Sequence, residues 1–414
     1  MTYRLAHLSD WHAGYRSGHY KNSQDVNIRE MDGYQTLARM VKDIINVGVD
    51  GVVIAGDIYH SPNPEIRSHI VVQNLLRKLW AAGISVYMLA GNHDTNDVKA
   101  DIAASRILHD PWRNIYSHAE PYVRHEIADG IHLHLVSHHM YSEQSETMKQ
   151  IKPIPGEINI FSTHGSCIDP LLEEKLKAES SPREIVIPDF LLKDNDWSYS
   201  LLGHIHERGW VGSGDGLTDT YGSQVYYNGS AIRRGFSDKP TPLGRGWTLW
   251  TISEDGVFEA DPRTIPQRPQ FDFDMLDASQ LSTSELNEKI LENLRASQGE
   301  NGTELDLSTA PILRQRVSNL TPSKRAGLDL KALDYESGHA FSWKIHPTWN
   351  IESPTPSANT EDDDSEGLDI LSTYDRWAEN AEAIQQTDES IRKGVQKQAR
   401  EFVSLGLEKS FEEE

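Results

Sequence analysis

The sequence predicts an α/β protein with a layered sheet structure over residues 1–263, a small α/β module over residues 264–350, an acidic linker over residues 351–366 and a helical tail over residues 367–414. Three observations lead there. Short β-type runs alternate with longer stretches of helical period in the first third. From about Ile131 the strand-like runs crowd together. Composition then shifts after Arg263 and again near Glu352, where Ser, Thr, Pro and acidic residues replace the apolar pattern.

The opening strand alternates Leu5, His7 and Ser9 with Ala6, Leu8 and Asp10. From Ile28 to Val47, the residues Met31, Tyr34, Leu37, Ala38, Val41, Ile44 and Ile45 recur at helical spacing, the mark of an amphipathic helix. GVVIAG at 51–56 is a continuous apolar run ending in Gly, and residues 84–91 repeat that form after a helix-like stretch over 64–82, as strands of one buried sheet do. IHLHLVSHH, INIFSTHG, SYSLLGHIH, QVYYNGS and GWTLWTI supply the strands of the β-rich half, and the polar stretch 212–222 between them reads as a loop or hairpin arm. In the module, residues 284–294 have helical period and 312–317 and 339–345 are strand-like. The tail spaces Leu368, Leu371, Tyr374 and Trp377, then Ile384, Ile391, Val395, Phe402 and Leu405, for a helix.

At 414 residues, the chain exceeds the usual size of a single core, and 37% hydrophobic residues suffice to build a large one. Forty Lys and Arg against sixty-three Asp and Glu leave −23, which argues against coating nucleic acid by bulk charge, so any phosphate contacts are local. The 17 acids and 6 bases of residues 352–414 carry about −11 of that charge, away from the motif-bearing half. The single cysteine, Cys167, can form neither an internal disulfide nor a thiolate zinc site, which fits a reducing compartment. The chain starts directly on a strand and its longest apolar runs, such as 84–90, fall far short of the ~20 residues a bilayer requires. A cytoplasmic protein without a membrane partner is expected.

Five short motifs then occur in order, each at the end of an apolar run: Asp10-Trp11-His12, Gly56-Asp57, Gly91-Asn92-His93-Asp94, His164 in STHG, and Gly203-His204-Ile205-His206. Open α/β sheets carry their sites at such ends. Any one of them occurs by chance, as a surface pair or an isolated core histidine. Five in order do not, because independent coincidences multiply. The set supplies carboxylates, imidazoles and an amide oxygen, ligands that suit Mn, Fe, Zn or Mg, and its size fits two metals. Side chains two apart on a strand share a face, so Asp10 with His12 and His204 with His206 are each expected to reach one site, with Asp57 as a bridge. Two cations ~3.5–4 Å apart can hold both non-bridging oxygens of a phosphoester and lower the pKa of a water.

This ordered set resembles the calcineurin-like metallophosphoesterase superfamily, whose pattern D-x-H, G-D, G-N-H-D/E, H and G-H-x-H is matched without a gap over roughly residues 1–260. Within it, AHLSDWHAG, GDIYHSPNPEIRSH, LLGHIHERG and YYNGSAIRRGF are similar to the SbcD nucleases of double-strand-break repair, known in other organisms as meiotic recombination eleven. The resemblance implies a four-layer β-sandwich flanked by helices. It implies one metal held by Asp10, His12, Asp57 and His206 and another by Asp57, Asn92, His164 and His204, with two Mn²⁺ ions in those places, or Mg²⁺, Zn²⁺ or iron. His93 would assist the leaving oxygen, and His60 matches a second histidine near the phosphate, where some members have Asp. Asp94 would orient His93 or a ligand from behind. The resemblance also implies a capping, DNA-binding role for residues 264–350, docking of the tail to an SbcC-like coiled-coil ATPase of the SMC type, and a homodimer through the helices around 64–110.

The remaining candidates keep two readings. Arg233 and Arg234, beside Gly229-Ser230, suit phosphate contacts and equally an ion pair with Asp238. His19 and Tyr20 lie in a polar segment that either touches DNA or is plain surface. His132, His134, His138 and His139 are read as strand-surface and second-layer groups rather than a third metal site. No G-x-x-x-x-G-K-[ST] loop is present, so ATP dependence must come from a partner. The expected function is a Mn-dependent nuclease cutting near DNA ends. Its rivals are a small-substrate metallophosphodiesterase and a DNA-end tethering scaffold with a vestigial nuclease.

Overall fold

A computed structural model describes residues 2–95, 103–138, 148–167, 186–193, 196–211, 224–236, 238, 243–256, 258–299 and 302–348. The loop at 212–222, His139, the linker, the tail and part of the 64–110 segment lie outside the described residues, all of which belong to the first of two compact units, residues 1–350.

The chain opens with β1 (Tyr3–Leu8), α1 (Ile28–Val47), β2 (Gly51–Ala55), α2 (Ile66–Ala81), β3 (Ser85–Leu89) and β4 (Ile115–His118). Asn27 caps α1 by accepting from the amides of Arg29 and Glu30, and Gly48 ends it at φ 72°, left-handed backbone that costs glycine little. The parallel strands β1 to β4 join β11 (Gly246–Ile252) and β12 (Phe258–Thr264) in one six-stranded sheet of order β12-β11-β1-β2-β3-β4. A second sheet has the order β5-β6-β7-β8-β10-β9, from β5 (Tyr122–Ala128), β6 (Ile131–Val136), β7 (Ile158–His164), β8 (Tyr199–Gly203), β9 (Gly209–Trp210) and β10 (Val225–Tyr227).

Packing produces the four layers expected. Leu37, Met40, Val41 and Ile44 of α1 and Val72, Leu75, Leu76 and Leu79 of α2 bury against Ala6, Leu8, Val52, Ile54, Val86 and Met88 on the outer face of the first sheet. Its inner face, with Leu5, Val53, Leu89 and Trp250, meets Leu133, Leu135, Ile160, Leu201 and Tyr226 of the second sheet. Phe161, Leu202 and Val225 on the far face are covered by Trp197, Ile187 and the short α3 (Asp189–Lys193). Both faces of the central strands are apolar, which is why they read as continuous hydrophobic runs.

A third sheet, parallel and of order β13-β14-β15, comes from β13 (Gln270–Asp277), β14 (Ile312–Ser318) and β15 (Ser342–Thr348), with α4 (Thr283–Ala296), α5 (Pro322–Ala326) and α6 (Leu330–Glu336). It has a core of its own, with Leu286, Ile290, Leu294, Leu313, Val317 and Leu333. The composition break after Arg263 falls one residue before the end of β12. The connection beyond it is pinned by Arg268, whose buried guanidinium donates to Asp32 of α1 at 2.6 Å and to the Leu307 carbonyl at 2.8 Å. Among the described residues no helix is long and apolar enough to cross a membrane.

Candidate metal centre

Beyond the carboxyl ends of β1, β2, β3, β7 and β8 the five motifs converge. The loops after β1 and β2 are zipped by backbone bonds, Asp10 N–H to the Gly56 carbonyl and His12 N–H to the Asp57 carbonyl, both 3.0 Å. This places Asp10 and His12 past the strand in left-handed backbone, at φ 50° and 43°, with Asp57 at 52° and His204 at 97°. Strained backbone at so many neighbouring polar residues marks a site held in shape by its surroundings. It also corrects the expectation drawn from strand alternation. His204 and His206 do not share a face: His204 Nδ1 lies 3.2 Å from Asn92 Oδ1, whereas His206 Nε2 lies 3.1 Å from His12 Nε2.

Two clusters result. In one, His12 and His206 present their Nε2 atoms to each other, with Asp10 Oδ1 3.7 Å from His206, and Asp10 Oδ1 at 4.0 Å and Asp57 Oδ2 at 3.6 Å from His12. In the other, His164 Nε2 stands 3.0 Å from Asn92 Oδ1 and 3.4 Å from Asp57 Oδ1. Asp57 therefore gives one oxygen to each. Both of its neighbours, Gly56 and Gly91, must lack a side chain: a Cβ on Gly91 would fall on the Asp57 carboxylate and amide, and one on Gly56 on the His164 ring.

The electrostatics fit a pair of divalent cations. Burial opposes the charge on Asp57, but His164 and His12 hold its carboxyl well below the usual range. Asp10 is pushed up, chiefly by burial and further by the Asp57 charge. Burial would lower His164, yet Asp57 raises it to about 9, so without metal a proton on this ring supplies the positive charge the carboxylates demand. His204, lowered to about 3 by burial and by His164, and His60, lowered to about 4 by burial and by His93, stay neutral with lone pairs to offer. Lone-pair donors thus crowd around two points, and divalent cations are what satisfy such a set.

His60 and His93 stack at 5.4 Å, edge-on to His12, beside the clusters. The His93 Nδ1–H donates to the His60 carbonyl at 2.9 Å, leaving Nε2 for the open side, while the His93 amide donates to Asp57 Oδ1 at 2.8 Å. Asp94 contacts backbone rather than a histidine ring. Its buried carboxylate accepts from the amides of Ile58, Tyr59 and Gly91, at 3.2, 2.9 and 2.9 Å, and so fixes the loop of Asp57 to the loop of Asn92.

Of the other candidates, Arg234 Nη2 lies 2.9 Å from His206 Nδ1 and its Nε 3.7 Å from Asp238. Arg233 turns inward, donating to the carbonyls of Asp238 and Gln270. His19 is exposed and stacks on Tyr20 at 4.5 Å, and Tyr20 packs on Phe341 at the third sheet. His132, His134 and His138 are buried, not on the strand surface as expected. His134 bridges Tyr122 and Asn159 at 2.9 and 3.0 Å, and His138 lies 3.2 Å from Thr95 Oγ1.

Sequence reasoning missed Asp238 as the support of His206. His206 Nδ1 lies 2.9 Å from both Asp238 Oδ1 and Arg234 Nη2, and in the tautomer whose Nδ1–H donates to Asp238 the Nε2 lone pair points at the cluster. Burial would raise the Asp238 carboxyl, but His206 and Arg234 hold it well below the ordinary range. Arg245 adds a bond to the His206 carbonyl at 2.8 Å. Replacement of Asp238 by Asn is expected to weaken Mn²⁺ binding by about 10–100-fold, read by titration calorimetry. Unchanged affinity would remove Asp238 from the site.

Residues 3–208 match the family model described as calcineurin-like phosphoesterase. The chain is 26% identical over 333 residues to the DNA double-strand break repair protein Mre11 of Haloferax volcanii, across 77% of this chain and 63% of that protein. Proteins of the same name from Methanosarcina mazei and Sulfurisphaera tokodaii are 25% and 28% identical, over 64% and 50% of this chain and 38% and 49% of theirs. The chain thus spans less than two thirds of these relatives' own length. Among solved structures, a dimetal phosphatase from Danio rerio covers 61% of this chain and 93% of its own at 13% identity and TM-score 0.33. Purple acid phosphatase PPD1 from yellow lupin covers 64% and 53% at 11% and TM-score 0.39.

Proposed function

Residues 3–208 make this chain a member of the calcineurin-like phosphoesterase family, and on that premise we propose that it is a metal-dependent nuclease of the SbcD type, hydrolysing DNA phosphodiesters near ends in double-strand-break repair. The observation that carries the reading is Asp57, whose two oxygens face separate imidazole clusters, His12 at 3.6 Å and His164 at 3.4 Å. Asp10, His12, Asp57 and His206 would hold one cation and Asp57, Asn92, His164 and His204 the other, Mn²⁺ by preference. The pair, when bound, supplies Lewis-acid charge at the phosphate and a water of lowered pKa. The protein's own part is orientation. The His60 carbonyl fixes the His93 ring from behind, so that Nε2 can deliver a proton to the departing oxygen. Asp238 and Asp94 keep the ligands in register.

The Mre11 relatives support DNA as substrate, and so does the outward face of the third sheet. There Arg314 and Arg316 lie in register with Lys344 and His346, a basic stripe on a chain of net −23, tempered by Asp272 of β13, which pairs with the two arginines at 2.7 and 3.4 Å. Arg314 lies 4.5 Å over Phe236, two residues from Arg234 at the metal centre, so the stripe leads to the catalytic residues. Phosphate contacts confined to one face resolve the conflict between acidity and DNA binding. In this reading the third sheet is the capping module, the tail meets an SMC-type ATPase, and the protein works inside the cell.

The test is cleavage of end-labelled linear duplex DNA by the purified chain with Mn²⁺, with Mg²⁺ and with chelator. Shortened products that require Mn²⁺ support the nuclease. Intact DNA alongside hydrolysis of a small aryl phosphodiester would move the assignment to a small-substrate enzyme. Ile66 and Ile70 of α2 are 77% and 53% exposed, and they supply apolar surface for the proposed homodimer. Ile70→Glu is expected to convert a dimer to a monomer in light scattering at micromolar concentration, and a monomeric wild type would dismiss that assembly.

A further inference from the structure

We propose that His118 and His125 form a separate site for one borderline divalent ion of the zinc class, at the edge where the two large sheets meet. β4 and β5 are edge strands of different sheets, linked by residues 119–121. His118 closes β4, His125 sits within β5, and their Nε2 atoms face each other at 2.8 Å.

The arrangement repeats the one at the metal centre. There His12 and His206 oppose their Nε2 atoms at 3.1 Å, and a carboxylate holds the far nitrogen of His206. Here Glu120 Oε2 lies 3.3 Å from His118 Nδ1, so that the Nδ1–H donates backwards and the Nε2 lone pair points at His125. The rings of Tyr87 and Tyr116 pack on His125 at 5.1 and 4.8 Å and fix its orientation. Burial lowers both imidazoles, His125 to about 4, which keeps them in the neutral form that binds metal. Two nitrogens bound at 2.0–2.1 Å around a tetrahedral ion stand about 3.3 Å apart, so the rings must part by only about half an ångström, and water completes the shell. The ion would clasp the edges of the two sheets. The Ala90 N–H donates to the His118 carbonyl at 3.0 Å, which places the clasp beside the loop of Asn92 and His93.

The experiment uses the full chain, stripped with chelator and reloaded with Zn²⁺, comparing wild type with His118→Ala/His125→Ala and with the milder His125→Gln. Bound zinc is counted by mass spectrometry after desalting. The expected result is one ion fewer per chain in both variants, loss of that part of the zinc-induced rise in Tm, and unchanged hydrolysis of an aryl phosphodiester with Mn²⁺. Equal zinc content in wild type and variants would overturn the site and leave an imidazole–imidazole hydrogen bond in its place. So would loss of the ion together with Mn²⁺-dependent hydrolysis, because the missing ion would then belong to the paired centre. Since zinc is counted without DNA, failure of the nuclease reading would leave this result readable.

Discussion

Replacing His93 by alanine should lower the rate of DNA cleavage by about 10²–10⁴-fold, the usual contribution of a positioned proton donor, and leave the metal content unchanged. The two effects separate because of how His93 is attached. Its amide, which alanine retains, makes the 2.8 Å bond to Asp57. Its ring is held by the His60 carbonyl at 2.9 Å and stacks on the His60 ring, apart from the contacts that join Asp57, Asn92, His164 and His204. The one contact the ring makes with a cluster is its edge-on packing against His12 at 4.8 Å, while His12 keeps its backbone bond to the Asp57 carbonyl and its opposition to His206, so both ligand sets should stay in place when the imidazole goes. Asp57→Asn makes the contrast, because it removes the shared carboxylate and should lose bound Mn²⁺ and cleavage together. Metal content and kcat measured on the same preparations decide the matter. If His93→Ala also loses an ion, His93 is a ligand and the proton donor must be sought elsewhere, with His60, stacked at 5.4 Å, the next imidazole outside the proposed ligand sets.

What could be read in the sequence was whatever is buried on both sides or repeats with a period. The limits of α1 coincide with the Ile28–Val47 pattern because one face of that helix packs on the first sheet. β2, β3 and β8 show as apolar runs because layers cover both their faces. β4, β5, β12 and β13 left no such trace. β5, β12 and β13 are half-exposed edge strands, with sequences such as FEADPRT and QFDFDMLD, and β4, also at an edge, is only four residues long. The metal motifs were legible because their glycines and ligands sit next to one another in the chain. Asp238 was not, since it meets His206 from 32 positions away and nothing around it in GFSDK repeats. The divergence of His204 from His206, which the family resemblance implied, was hidden from strand alternation for another reason: it depends on a φ of 97° that no residue type announces.

The smallest substitution at the site, Gly203→Ala, should be among the most damaging although glycine brings no functional group. Gly203 closes β8 where that strand passes β2 and β7, and its Cα faces the interior of the sandwich. A Cβ there would collide with the Ala55 carbonyl and stand 2.9 Å from both His164 Nδ1 and the Ser9 Cβ, closer than side-chain carbons pack. None of the three neighbours can yield freely. Ala55 is the last residue of β2, Ser9 leads into Asp10, and the His164 Nδ1–H is committed to the same Ala55 carbonyl at 2.8 Å. Accommodating the methyl group must part β8 from β2, and that motion separates His204 from Asn92 and His164 from Asp57. Overpacking of this kind costs about 1–3 kcal/mol of stability. The larger effect falls on metal binding, which depends on ligands held to fractions of an ångström. A fall in Mn²⁺ affinity of at least about 10–100-fold, the loss expected when a ligand's support is disturbed, should accompany a moderate drop in Tm. If Tm falls while Mn²⁺ affinity holds, the glycine serves strand packing alone, and the two loops keep their register independently of the strands that carry them.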